Sequence, residues 1–167
     1  MIKHFFWILF LPTLALAKHP VLSNTVNIQS DTLTYNQVTQ EAVHEGNVVL
    51  TQGDYILFAD KLILHKGSTQ SKQIEKIIAT GNPAKFEAKP KKDKMPVLGE
   101  AKTIYYYPTT QQLILQNQAK LHYQADIFTA PKITYDIQKN IIFSEKRDQE
   151  RSSMVIHPTK PTAQGVG

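Results

Sequence analysis

The chain has 167 residues, a formal net charge of +5 and no cysteine. This length suits a single domain, and the lack of cysteine excludes both a disulfide-stabilised scaffold and a thiol nucleophile. The mild positive charge favours anionic partners but does not identify one.

The N terminus has the parts of a secretory signal peptide. Lys3 and His4 precede an apolar run over residues 5–16, and Ala15-Leu16-Ala17 is a small-x-small cleavage site. The run is shorter than the ~20 apolar residues of a membrane span, and Pro12 interrupts it. We therefore predict a signal peptide at 1–17 and a mature, exported chain from Lys18. The alternative is a retained membrane anchor.

Apolar and polar residues then alternate from residue 26 to residue 143, which is the pattern of strands that bury one face. The pattern predicts about a dozen short strands and no helix. A last strand is predicted at 154–156, residues 89–96 read as a hydrophilic loop, and the tail 158–167 is predicted to be disordered. Turns are predicted at clusters of Gly, Asn, Asp and Pro: Gly46-Asn47, Gly53-Asp54, Gly81-Asn82-Pro83 and Pro108-Thr109.

The strand pattern is repeated. Leu33 and Ile104 are 71 residues apart, as are Leu62 and Ile133, and Gly46-Asn47 recurs 35 residues later as Gly81-Asn82. A fixed period in this range is typical of stacked, similar units. The chain is therefore predicted to form one all-β stack rather than an irregular globule.

Such a stack has an apolar face and no helix to cover it. It must fold that face inward as a curved sheet, sandwich or jelly roll. The interior is then either filled by its own side chains or open as a slot for lipid, and both remain possible at this point. The terminal strands also lack caps, so addition of a strand from a second copy would complete both ends.

No catalytic or metal-binding pattern is found. The six histidines lack metal-ligand spacing, and there is no Gly-x-Ser-x-Gly or phosphate-binding glycine loop. Asp60 has Pro131 as its counterpart in the repeat, so it is predicted to be structural. Export argues against nucleic acid as the partner of the Tyr105-Tyr106-Tyr107 run. We predict that the protein is not an enzyme and binds no metal, cofactor or nucleic acid.

The order of several motifs resembles the OstA-like family of periplasmic lipopolysaccharide-transport proteins of Gram-negative bacteria. The similarity covers about residues 26–156. Its landmarks are Gly46-Asn47-Val48-x-x-Thr51-Gln52-Gly53, Ala59-Asp60-Lys61-Leu62, Gly81-Asn82-Pro83-Ala84-x-Phe86, Gly99-x-Ala101, Tyr106 and Lys132-Ile133-Thr134-Tyr135.

The resemblance implies a fold, a place and a set of partners. The fold would be a twisted β-jelly roll of stacked antiparallel strands, open at the ends, over residues 18–157. The protein would act in the periplasm, where head-to-tail copies bridge an inner-membrane exporter complex and an outer-membrane translocon. Its ligand would be lipopolysaccharide, whose acyl chains lie in an apolar groove. Alternatives are a membrane-anchored, exporter-associated relative, or a structural β-solenoid that binds no lipid. The lack of a nucleophile–base pair argues against a third alternative, an exported hydrolase.

Alternation selects the residues that would line this groove, since every second side chain faces inward. They are Val26, Ile28, Leu33, Tyr35, Val48, Leu50, Leu57, Phe86, Ile104, Tyr106, Leu121, Tyr123, Phe128 and Ile133. Alternation identifies the face of the sheet but does not separate groove residues from core residues.

Overall fold

The computed structural model describes residues 25–67, 73–89 and 96–158, and these residues form strands and turns without a helix. The predicted signal peptide, most of the 89–96 loop and the tail after residue 158 lie outside the described residues. The strands, in chain order, are β1 Val26–Gln29, β2 Thr32–Asn36, β3 Glu41–Gln52, β4 Tyr55–Lys66, β5 Ile74–Ala88, β6 Val97–Tyr107, β7 Gln112–Tyr123, β8 Asp126–Asp136, β9 Ile141–Glu145 and β10 Ser153–Val155.

All these strands belong to one antiparallel sheet. Its main path is β1-β3-β4-β5-β6-β7-β8-β10, while β2 pairs with the other half of β3 and β9 with the other half of β8. In the described part of the chain the first and last strands do not pair with each other, so the sheet is open at both ends. This confirms the predicted all-β class and the open, jelly-roll type of architecture.

The strands are fewer than the sequence pattern predicted, and several of them are longer. Gly46-Asn47 and Gly81-Asn82-Pro83, predicted as turns, lie inside β3 and β5. The φ angles of Gly46 and Asn47 are 80° and 48°, and the pairing register of β3 shifts between Glu45 and Val48. Such a β-bulge bends a strand but does not reverse it. The prediction of about a dozen short strands is therefore wrong, because two of its breaks are bulges inside long strands.

The bulge requires a glycine at position 46 for two reasons: the backbone conformation there, and the close approach of a neighbouring side chain. The positive φ of Gly46 is accessible to glycine without strain, and a Cβ there would collide with the carboxylate of Asp31. Asp31 holds this position because its N–H donates to the Gly46 carbonyl at 3.0 Å and its Oδ2 accepts from Asn47 Nδ2 at 3.0 Å. These contacts fix the chain where it crosses from β1 to β2, at the two halves of β3.

The bulges fall in line across the sheet and divide it into two half-sheets. We call the half that contains β2 and β9 the first half-sheet, and the half that contains β1 and β10 the second half-sheet. Their inner faces pack against each other: a Cβ at Gly99 would lie 3.2 Å from Leu115, and the rings of Phe86 and Tyr106 are 6.1 Å apart. The register shifts that mark the bend lie between Glu45 and Val48, Phe58 and Lys61, Thr80 and Ala84, Glu100 and Thr103, and Gln116 and Ala119.

The core between the half-sheets is graded by side-chain size. Ala84 pairs with Ala101 and Ala119 with Ala130 beside the bend, and all four are buried. Small side chains let the two half-sheets approach closely there. Away from the bend the core consists of large residues such as Leu113, so the space between the half-sheets widens toward the seam where the strands turn.

The repeat corresponds to the sheet register. Leu62 and Ile133, 71 residues apart, lie in one inner row that crosses the sheet through Ala79, Ile104 and Leu115. One repeat therefore spans four strands, and the interval near 35 residues spans one hairpin. Stacked hairpins explain why apolar side chains recur on the inner face of every long strand.

Candidate functional site

The predicted groove residues all lie on the inner face, because each is in register with a core residue or packs against the core. They differ in burial. The eight with at most 2% exposure are Val48, Leu50, Leu57, Phe86, Ile104, Tyr106, Leu121 and Ile133. Val26, Ile28, Tyr123 and Phe128 are partly buried against this core. Leu33 and Tyr35, on the edge strand β2, are exposed.

The inner face therefore has a packed middle and accessible ends. In the middle, the two half-sheets fill the space between them with their own side chains. At the first end the inner residues Leu33 and Tyr35 are 59% and 42% exposed. At the other end Met154 of β10, which pairs with the inner Phe128, is 48% exposed. The apolar inner surface thus reaches solvent at both ends of the sheet.

Aromatic side chains close the seam side of the interior. Tyr55 and Phe86 stack with centroids 5.7 Å apart, and both approach Tyr106 of the opposite half-sheet, at 6.2 and 6.1 Å. Two effects raise the pKa of Tyr106 to about 12: mainly burial of its hydroxyl, and to a smaller extent the charge of the neighbouring Tyr55. These phenols are therefore neutral at physiological pH, so the interior carries no tyrosinate charge and remains suited to apolar groups.

A second aromatic pair lies further along the seam. Tyr123 and Tyr135 meet edge to face with centroids 5.9 Å apart, and the Tyr135 hydroxyl donates to Asn140 Oδ1 at 3.3 Å. Burial and the nearby Tyr123 raise the pKa of Tyr135 to about 12. The two aromatic groups are the contacts that must separate if the half-sheets open.

His44, which is 7% exposed, is the one buried polar side chain in the described part of the chain. It faces inward from β3, with Leu33 and Leu62 as its cross-strand neighbours. The Ser30 hydroxyl donates to the Thr32 carbonyl at 2.9 Å, so its oxygen accepts from Nδ1–H of His44, also at 2.9 Å. Burial lowers the pKa of His44, because the charged imidazolium is poorly solvated there.

We expect His44 to make folding sensitive to mild acid. Its unfolded pKa is about 6.5 and its folded pKa is lower, so below about pH 6.5 the unfolded chain binds a proton that the folded chain excludes. The free energy of unfolding should therefore fall between about pH 7 and pH 5, and His44→Gln should make this fall smaller. Urea unfolding of the parent chain and of His44→Gln, at about pH 7 and about pH 5, measures this change in the free energy of unfolding.

The matched control for this prediction is His122→Gln, on the outer side of β7. It removes one histidine without changing the inner face. If His44→Gln and His122→Gln lose the same stability between the two pH values as the parent chain, burial of His44 does not govern the response.

The described residues contain no group of three or more His, Cys, Asp or Glu side chains arranged to hold a metal ion. Separately, none of the elements in the described ranges is a helix long and apolar enough to cross a membrane.

The family model described as LptA/(LptD N-terminal domain) LPS transport protein matches residues 27–141. The chain is 30% identical to the lipopolysaccharide export system protein LptH of Pseudomonas aeruginosa, over 89% of this chain and 87% of that protein. It is 28% identical to the lipopolysaccharide export system protein LptA of Haemophilus influenzae, over 92% of each chain.

Among solved structures, the crystal structure of the P. aeruginosa LptH superposes with a TM-score of 0.75 at 28% identity, covering 82% of this chain and 98% of that one. That protein is described as the LptA homologous periplasmic component of the conserved lipopolysaccharide transport device.

Proposed function

The chain belongs to the LptA/LptD N-terminal domain family of lipopolysaccharide transport proteins, and from this premise we propose that it shields the acyl chains of lipopolysaccharide in the periplasm. Its family makes it a component of lipopolysaccharide export. The binding surface, the partners and the start of the mature chain are inferred from its own residues.

The observation that carries the proposal is the continuity of the apolar inner face. Rows of inward-facing side chains cross the sheet from one edge to the other. Apolar side chains are exposed to solvent at both open ends, Leu33 on β2 and Met154 on β10. A domain that only needed a core would gain nothing from leaving these side chains in water. An apolar path that must continue into a neighbour would need them.

The physical task is to keep acyl chains out of water. Each exposed methylene costs ~0.8 kcal/mol, so one chain of a dozen carbons would strongly oppose unassisted crossing. Between the two half-sheets an acyl chain exchanges water for apolar side chains, while its sugars can remain in solvent at the seam. This requires no chemical step, and we infer a non-enzymatic role in which lipid is passed along.

The same geometry suggests the partners. We infer that copies join head to tail, with the β1 and β2 end of one meeting the β9 and β10 end of another, and that such a chain bridges an inner-membrane exporter complex and an outer-membrane translocon. Strand addition at open edges would join the sheets and continue the inner face.

We further propose that residues 1–17 are removed on export, and one isolation tests this together with lipid binding. Protein recovered from the periplasm should have the mass of a chain that begins at Lys18, because Ala15-Leu16-Ala17 has the small-x-small pattern of a signal-peptide cleavage site. Lipid extracted from it should contain lipopolysaccharide, detected by mass spectrometry. A periplasmic protein of unrelated fold, purified in parallel, is the control.

The other outcomes select the alternatives. Full-length protein held in the inner membrane would favour the anchored, exporter-associated relative. A mature chain that carries no lipopolysaccharide would favour a structural β-solenoid.

A further inference from the structure

A cavity of about 530 Å³ lies at the seam between the two half-sheets, near the β1 and β2 end. One wall comes from the second half-sheet and the other from the first. Its polar lining consists of Gln52 from the second half-sheet and Lys66, Gln73, Thr109 and Gln111 from the first. The lining residues in the described part of the chain include one cation and no carboxylate.

Gln52 has an unusual position on the inner face. It pairs with Val26 and Tyr55, which pack against the core, so its side chain follows the inward row of β3. Its Oε1 is buried and has no hydrogen-bond partner among the described residues. An unpaired buried acceptor costs about 1–3 kcal/mol, and such groups in folded proteins usually have a reason. A donor brought by a ligand would remove this cost.

Lys66 supplies the charge at the opposite wall. It ends β4 two residues after the inner Leu64, and its Nζ lies 5.0 Å from the ring centroid of Tyr35. The Tyr35 hydroxyl donates to Gln40 Oε1 at 3.0 Å, which fixes the ring under the ammonium. In the described part of the chain Lys66 forms no ion pair, unlike Lys61, Lys85 and Lys132. Its charge is therefore available to an anion in the cavity.

We infer that this seam cavity binds the phosphate-bearing sugar headgroup of the lipid whose acyl chains enter the interior. Lys66 contacts the phosphate. Gln52 Oε1, which becomes accessible when the half-sheets separate to admit the acyl chains, accepts from a sugar hydroxyl or from the N–H of an amide-linked acyl chain. Gln73, Thr109 and Gln111 supply further hydrogen bonds at the solvent side. The inference rests on the proposed function, because the acyl chains must lie between the half-sheets for the headgroup to reach the seam.

The Lys66 contact is tested with two probes that share their acyl chains: diphosphoryl lipid A and the same disaccharide lipid after removal of its phosphates. The mature parent chain should bind the phosphorylated probe about tenfold more tightly, as expected for a charge-assisted hydrogen bond. Lys66→Gln should bind both probes equally, at the affinity that the parent has for the dephosphorylated one. Lys102→Gln makes the same charge change on an exposed outer position and should retain the tenfold preference.

Gln52→Leu tests the acceptor independently. The variant should bind both probes about fivefold more weakly and leave the ratio of the two affinities unchanged. The reason is that the partner of Gln52 is the sugar or the amide and not the phosphate. The variant should also raise the midpoint of thermal unfolding, since it removes an unpaired buried acceptor. A purely structural Gln52 would instead lower that midpoint and leave lipid affinity unchanged.

The contrary results are distinct. A tenfold preference retained by Lys66→Gln, or equal binding of the two probes by the parent, overturns the headgroup site alone. A parent chain that binds neither probe overturns the proposed function and this site with it. Tight binding of inorganic phosphate in calorimetry would identify a free-anion site and overturn the assignment to the lipid headgroup.

Discussion

A photoreactive phenylalanine analogue at Tyr106 or Phe86 should capture lipopolysaccharide in living cells, whereas the same analogue at Thr103 or Lys85 should capture none. Tyr106 and Phe86 face the interior and are 2% and 1% exposed. Thr103 and Lys85 lie on the same strands but on the outer face. Because side chains alternate along a strand, neighbouring positions sample opposite sides of one sheet.

The prediction requires the two half-sheets to separate, since their side chains now fill the interior. Separation breaks the contacts of the Tyr106 ring with two aromatic rings of the opposite half-sheet. The ring centroid of Tyr106 is 6.1 Å from that of Phe86 and 6.2 Å from that of Tyr55. An acyl chain that enters replaces these contacts with others of the same kind, so apolar surface stays out of water throughout. The bend, lined by small buried residues such as Ala84 and Ala101, can act as the hinge side.

The measurement is an immunoblot for lipopolysaccharide joined to the protein after illumination. An aromatic analogue replaces an aromatic side chain at both inner positions, so the packing is disturbed little. Equal labelling of inner and outer positions would mean that lipid meets this protein at its surface, and the interior would then be an ordinary core.

The direction of each inner side chain could be predicted from the sequence. Period-two alternation depends on backbone geometry alone, so Val48, Leu50 and Leu57 could be assigned to one face before the fold was known. The depth of burial could not be predicted, because it depends on what the opposite half-sheet contributes. Leu33 and Ile104 occupy equivalent repeat positions, yet Leu33 is exposed on an edge strand and Ile104 is fully buried in a central one.

The bend and the seam site were also missed. Gly46-Asn47 is as typical of a hairpin turn as of a bulge, and the choice between them is made by the pairing of β3 on both sides. Gln52 was noted within a family motif but not as an inward residue. A polar residue at an inner position of an otherwise apolar row was the signal that could have identified it.

Light scattering across a concentration series should show assemblies of the parent chain that grow with concentration and do not stop at a dimer. The contact we propose is heterologous, since one end of the sheet meets the other end of the next copy, and such a contact leaves a free end after each added copy unless a ring closes. A Val155→Pro variant should remain small at every concentration. This prediction tests the head-to-tail bridge.

The two ends of the sheet are suited to this contact. The first half-sheet ends in β2 at one side and β9 at the other, and the second half-sheet ends in β1 and β10. Joining β9 to β2 and β10 to β1 would therefore continue each half-sheet into its counterpart. Both ends also expose apolar side chains that pairing would cover, including Phe143 at 56% and Leu33 at 59%.

Proline at 155 acts on the backbone, because it donates no hydrogen bond and is tolerated in edge strands. β10 has three exposed residues, so we expect the monomer to lose only about 1 kcal/mol, or ~2–4 °C in Tm. Val155→Thr retains the donor and should assemble like the parent. Truncation after Ser144 removes β10 entirely and should abolish growth more completely, although it also uncovers Phe128 on β8.

A mixing experiment separates a blocked end from a damaged protein. Val155→Pro keeps β1 and β2 intact, so it can join the β9 and β10 end of a parent copy and then offers no end for the next. Added to the parent, it should shorten the assemblies, whereas an unfolded or inert variant would leave their length unchanged. If the proline variant and the truncated chain both associate as strongly as the parent, the joining surface lies elsewhere, and the inner face does not continue from copy to copy through these edges.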